Sequence, residues 1–135
     1  AQPDPVLGAY LAEKLQGALP AIPLGSQTSR LTALLNDVSA DLVFAQQVYG
    51  YGREGDALVG ISTSGNAADV VSALQAARAL GLGTLGLTGR EGGRMSGFCD
   101  VLIRVPADEV HAIQELHQPV YHALCAMLEQ EFFGR

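Results

Sequence analysis

GDALVGISTSGNAADVVSALQAARALG, residues 55–81, holds an apolar run, a hydroxyl-rich turn and a helical pattern in that order. The run at residues 57–61 has the length and composition of a buried strand. Ser62, Thr63, Ser64, Gly65 and Asn66 follow it. Val70, Ala73, Leu74, Ala77 and Leu80 then form an apolar helical stripe, which Gly81 and Gly83 end. The first turn of a helix carries unpaired backbone N–H groups and the positive end of the helix dipole, so this junction suits a phosphate. Gly65 allows close approach of the backbone to a ligand, and the hydroxyls add donors without adding charge. A plain strand-to-helix turn capped by Ser64 or Asn66 accounts for the same residues without any ligand.

Outward from this stretch the alternation continues. Residues 21–24, 57–62, 84–88 and 101–105 read as short buried parallel strands, and helical patterns separate them. Residues 31–35 and 42–48 suggest helices after the first strand. A long helix is expected over residues 109–133, with Ile113, Leu116, Val120, Leu124, Met127 and Leu128 on its apolar face. The expected fold is α/β: a three-layer, doubly wound parallel sheet flanked by helices. Gly89-Arg90-Glu91-Gly92-Gly93 forms a loop at the carboxyl end of a strand, where open α/β sheets place ligands. Pro119 removes a backbone hydrogen bond inside the last helix and is expected to kink it near Gln114 and His122. Phe132 and Phe133 near its end fit a subunit contact or a cap on the core.

The 135 residues fit one domain, and 48% hydrophobic content with 16 glycines suits a packed α/β core. A net charge of −6 without a Lys/Arg cluster argues against direct nucleic-acid binding and against an anionic membrane surface. No apolar run reaches the length of a membrane span, and no signal-peptide pattern opens the chain. Cys99 and Cys125 suggest neither a disulfide framework nor a zinc motif, and both read as small buried hydrophobes in a reducing cytosol.

The blocks PAIPL (20–24), LTALLND (31–37), GDALVGISTSGN (55–66), LTGREGG (87–93), RVP (104–106) and IQELH (113–117) share an order and spacing. In these the chain resembles the sugar isomerase (SIS) domain, and within it is most similar to the phosphoheptose (sedoheptulose-7-phosphate) isomerases. The resemblance implies a flavodoxin-like sheet, a cytoplasmic protein, and a homo-oligomer, tetramer or dimer, with sites at subunit interfaces. It implies that Ser62, Thr63 and Ser64 bind the sugar phosphate, and that Asn36 and Asp37 contact the sugar. Gln114 and His122 match residues lining a metal or acid/base site, with zinc the candidate ion. They lie eight residues apart on one helix, roughly 12 Å along its axis, so they can face one cleft without touching. A strand and a GNGGS-like phosphate loop precede the block that Gly8 to Gly17 matches in such proteins. Neither is present here, Val6-Leu7-Gly8 being at most a stub of that strand, and the expectation is that segments lie outside these 135 residues.

The sequence departs from the pattern at several positions. The catalytic glutamate of the block matching Ala12 to Gly17 falls at Lys14, with Glu13 one residue early, and a histidine one turn before falls at Tyr10. A phosphate-binding serine falls at Ala67. Tyrosine is a poor zinc ligand, and a lysine ammonium repels the ion. Ketose–aldose isomerisation needs a base to move a proton between C1 and C2, and a group to stabilise the oxyanion. His122 suits the first task; Lys14, in place of a metal, is a candidate for the second, although a solvated helix lysine is the plainer reading. His117 either orients neighbours or packs, and His111 has no motif support. Three functions remain open: an isomerase of a phosphorylated sugar, most of all sedoheptulose 7-phosphate; a phosphosugar-binding regulator without catalysis; and a homo-oligomeric interaction protein like the branch that associates with the replication initiator.

Overall fold

The computed structural model describes residues 4–26, 28–37 and 39–134. Helix α1 (Pro5–Lys14) begins where Asp4 accepts a hydrogen bond from the Val6 N–H and Pro5 fills the first turn. Residues 6–8 therefore lie in a helix and form no strand stub. This helix buries none of its side chains. Residues 21–24, expected as a strand, form none. Pro20 and Pro23 lack the N–H groups that a ladder requires, and the chain turns at Leu24 and Gly25. Helix α2 (Thr28–Asp37), a 3-10 turn (Ala40–Leu42) and helix α3 (Val43–Tyr51) follow.

The sheet has three parallel strands in the order β1 (Ala57–Ile61), β2 (Gly83–Thr88) and β3 (Val101–Arg104). Helix α4 (Ala68–Ala79) connects β1 to β2, and a 3-10 turn (Arg94–Phe98) precedes β3. Gly60 pairs with Gly86, which pairs with Leu102, so these residues share the face that α4 covers. A Cβ on Gly60 would lie 3.2 Å from the side chains of Val70 and Leu74, and one on Gly86 would lie 2.8 Å from Met95 Cε. Small residues thus let the helix and the 3-10 turn close onto the strands. Val71, Leu74 and Met95 form one buried cluster here; Val48, Ala73, Ala77 and Leu82 form a second between α3 and α4. Burial of each large aliphatic side chain contributes roughly 2 kcal/mol.

Helix α5 (Val110–Phe133) packs against β2 and runs through Pro119 as one element. Leu87, on the face away from α4, is fully buried. Its neighbours on that face are not: Val59, Ile61 and Val101 are 52%, 53% and 56% exposed. The outer edge of β1 has no partner strand among the described residues. Parallel strands are ordinarily covered on both faces; here the face away from α4 is covered only in part among the described residues. The same holds along α5: Ile113 is buried, Val120 and Leu124 are half-buried, and Leu116, Met127 and Leu128 are exposed. Cys99 is half-buried, and burial followed by the neighbouring Asp100 carboxylate pushes its thiol up. Cys125, expected to be buried, is exposed. No helix among the described residues is long and apolar enough to cross a membrane.

The amino ends of β2 and β3 are joined by a side-chain clasp. Asp100 Oδ2 accepts from the Thr84 N–H at 2.8 Å and from the Thr84 hydroxyl at 2.9 Å. The backbone bond, then the hydroxyl, hold the Asp100 carboxyl below its ordinary value. A depressed carboxylate stabilises the fold above the unfolded pKa and loses that contribution as pH falls through the folded value. Thermal unfolding from pH 7 down to about pH 3 should therefore show an acid-side loss of stability that is smaller in Asp100→Asn. An identical loss in both proteins would remove the clasp from the account.

Candidate functional site

The loop at residues 62–66 leaves the carboxyl end of β1 and enters α4. Ser62 is buried, Thr63 half-buried and Ser64 exposed, so Thr63 and Ser64 carry the hydroxyls that reach solvent. The helix cap is Ala67, with no side-chain capping bond, so neither Ser64 nor Asn66 caps α4. The Val70 N–H donates to Asp69 Oδ1 at 2.8 Å, which leaves the Ala68 and Asp69 N–H groups without a side-chain acceptor among the described residues. Among the described residues, the backbone N–H groups of Thr63 and Ser64 likewise have none. Donors without a protein acceptor, at the positive end of a helix beside two hydroxyls, have the chemistry that suits an anion.

Asn66 does different work from that expected. Its N–H donates to Ser64 Oγ and its Nδ2 to the Ser64 carbonyl, both at 3.1 Å. Its Oδ1 accepts from the Arg94 N–H at 2.9 Å, while the Gly65 carbonyl accepts from the Met95 N–H at 2.9 Å. The loop at residues 89–93 backs the first loop: a Cβ on Gly65 would lie 2.0 Å from the Gly92 carbonyl oxygen, and one on Gly93 would lie 2.3 Å from that of Ser64. Gly65 also has φ +67°, a left-handed conformation. The glycine-rich loop is thus a buttress for the 62–66 loop. Arg90 braces its other side, its Nε 3.2 Å from both Asp108 oxygens and its Nη2 donating to the Pro106 carbonyl at 3.0 Å.

The remaining candidate residues lie on three separate helices. Asn36 and Asp37 are exposed at the end of α2. Glu13 and Lys14 are exposed at the end of α1 and pair with each other. Gln114 and His122 are exposed on α5, where His122 makes an edge-to-face contact with Tyr121. None of these residues makes a hydrogen bond or ion pair to the 62–66 loop among the described residues. The structure therefore gathers Ser62, Thr63 and Ser64 into one feature and leaves the others apart. Sequence reasoning missed Thr88, which is fully buried and donates from Oγ1 to the Thr63 carbonyl at 3.3 Å. Its signal, a threonine directly before the glycine loop, is weak.

Fold and site together define an α/β protein with a hydroxyl-bearing loop that enters a helix at the carboxyl edge of a parallel sheet. The SIS domain family matches residues 11–89. The chain belongs to that family. It is 47% identical over 122 residues to phosphoheptose isomerase of Rhodospirillum rubrum, covering 90% of this chain and 64% of that protein. It is 50% identical over 115 residues to the Nitratidesulfovibrio vulgaris phosphoheptose isomerase, covering 85% of this chain and 55% of that one. The chain thus spans between half and two thirds of the length of these curated relatives. Among solved structures, phosphoheptose isomerase GmhA from Neisseria gonorrhoeae superposes with a TM-score of 0.80 at 42% identity, covering 90% of this chain and 69% of its own. The Francisella tularensis phosphoheptose isomerase gives 0.82 at 33% identity, covering 93% and 71%.

The buttress makes a stability prediction. Gly65→Ala should lower stability by about 2 kcal/mol or more, because both its φ and its contact forbid a side chain. Gly97→Ala, whose Cβ would meet nothing within 4 Å, should stay within about 0.5 kcal/mol of the parent in chemical denaturation. Equal effects would show that the two loops are not tightly apposed.

Proposed function

We propose that the 62–66 loop binds the phosphate of a phosphorylated sugar and that the protein interconverts sedoheptulose 7-phosphate and an aldose heptose 7-phosphate. The observation that carries this reading is the start of α4, whose cap residue Ala67 makes no side-chain bond and which the Thr63 and Ser64 hydroxyls precede. The relatives' names support the sugar class. In this reading Ser64, which already accepts from Asn66, donates its own proton to a phosphate oxygen, and Thr63 does the same from the half-buried side. Asn36 and Asp37 hold sugar hydroxyls. His122, exposed on α5, removes the proton from C1 and returns it at C2 through the enediol. Gln114 orients the oxygens from the same helix face. The Lys14 ammonium, or Glu13 beside it, serves the developing oxyanion or its proton.

Zinc does not fit the donors this chain brings together. No group of three or more His, Cys, Asp or Glu that could hold a metal occurs among the described residues. Gln114 and His122 sit eight positions apart, and the α1 positions facing them in the resemblance carry Tyr10 and the cation of Lys14. The same substitutions favour a second reading, a phosphosugar-binding protein without turnover, which needs only the loop. The reading includes a homo-oligomer, supported by the exposed apolar side chains of Val59, Ile61, Met127 and Phe132. In this reading the protein works in the cytoplasm, on a phosphorylated sugar that does not cross a bilayer unaided.

The test is isomerisation of sedoheptulose 7-phosphate by the purified protein, with and without a chelator. Turnover should survive the chelator within about twofold, Ser64→Ala should raise KM about tenfold, and His122→Gln should lower kcat by about a hundredfold. Binding of the sugar phosphate without any turnover would replace the isomerase reading with the binding-protein reading. Absence of both would end the sugar-phosphate assignment.

A further inference from the structure

His117 is buried, 4% exposed, on a helix whose remaining polar residues face outward. Its Nε2 lies 3.2 Å from the Thr88 carbonyl oxygen. A carbonyl only accepts, so Nε2 carries the proton and donates it. One turn earlier on the same helix, Ile113 presses on Gly89, where a Cβ would lie 2.5 Å from Ile113 Cδ1. Helix α5 is thus seated at two consecutive residues of the end of β2. Both of those residues hold the same atom of the anion loop: the Thr63 carbonyl oxygen accepts from Thr88 Oγ1 at 3.3 Å and from the Gly89 N–H at 3.0 Å.

The consequence follows from peptide geometry. The Thr63 carbonyl and the Ser64 N–H belong to one planar trans peptide and point in opposite directions. Two donors that fix the carbonyl inward therefore fix the Ser64 N–H outward, toward the mouth of the loop. We propose that His117 is a positioning residue: through Thr88 and Gly89 it holds the Thr63–Ser64 peptide in the orientation that presents the Ser64 N–H to a phosphate. The proposal rests on the reading of the 62–66 loop as a phosphate site. It also ties the seat of α5, which carries Gln114 and His122, to that loop, so that the two ends of a bound sugar phosphate are held in one frame.

The test uses His117→Leu, which removes the donor, His117→Gln, which keeps an N–H donor of similar reach, and Thr88→Val, which deletes only the hydroxyl. Two readouts are taken on the whole protein. Amide hydrogen exchange at Gly89, measured without ligand, should speed up about tenfold in the Leu variant and remain near the parent rate in the Gln variant. With sedoheptulose 7-phosphate, KM should rise about tenfold in His117→Leu and Thr88→Val while kcat changes less than about threefold, and His117→Gln should restore KM. A residue that merely packs would lower stability and leave KM alone. Parent-like Gly89 exchange together with parent-like KM in His117→Leu and Thr88→Val overturns the proposal. If His117→Leu fails to fold, Thr88→Val decides on the same two readouts. If the parent binds no sugar phosphate, the phosphate reading fails, and the exchange data alone confirm or overturn the coupling between α5 and the loop.

Discussion

Two backbone segments meet at Gly65 and Gly92–Gly93 with no side chain between them, and most of the site depends on that approach. Because the loops touch through main chain, the Gly65 carbonyl and the Asn66 side chain reach the N–H groups of Met95 and Arg94. Met95 then enters the cluster with Val71 and Leu74. The start of α4 is therefore anchored to the core through a few bonds, and its free donors keep a fixed direction. If the loop takes an anion as proposed, its affinity comes mainly from pre-organisation, since the donors are already ordered before a ligand arrives. A single methyl group at either loop would push the pair apart by more than its own packing could recover.

The sheet adds a second constraint. Its α4 face is closed by glycines that let a helix approach, while the other face is covered only where α5 meets the end of β2. Val59, Ile61 and Val101 stay open, as do Met127 and Phe132 farther along α5. The 62–66 loop, proposed to take the phosphate, is consequently braced within this chain. The residues proposed for the chemistry lie on α1, α2 and α5 and are all exposed. That division separates what the fold secures locally from what requires further surfaces to come together.

Much of this was legible in the sequence where period and punctuation agree. The run at residues 57–61, the stripe from Val70 to Leu80 and the glycines after it correspond to β1, α4 and its end. The strands at residues 84–88 and 101–105 and the last helix also fall where apolar runs and periodicity put them. Residues 21–24 failed because apolar content was weighed above the two prolines that bar a ladder. Residues 6–8 failed because the Asp4 cap and Pro5 outrank a short apolar string. The Ser64 or Asn66 cap failed for a different reason: Ser64 Oγ accepts within the loop from the Asn66 N–H, and Asn66 Oδ1 accepts across the loops from the Arg94 N–H, a bond that only the tertiary approach of the second loop supplies. The apolar stripe of α5 runs on past the sheet it covers, so Leu116, Met127 and Leu128 stay exposed. His117 and Thr88 carry no local pattern that distinguishes them from packing residues; only their placement does.

The account's central claim is that the loop between β1 and α4 is a ready-made phosphate receptacle. Backbone amide NMR of the whole protein, titrated with sedoheptulose 7-phosphate and separately with inorganic phosphate, tests it most directly. The account predicts saturable shifts that are largest at the Thr63, Ser64, Ala68 and Asp69 N–H groups, with the sugar phosphate adding shifts that inorganic phosphate does not. Saturation with the largest shifts elsewhere, or no shift at these four amides, would contradict it.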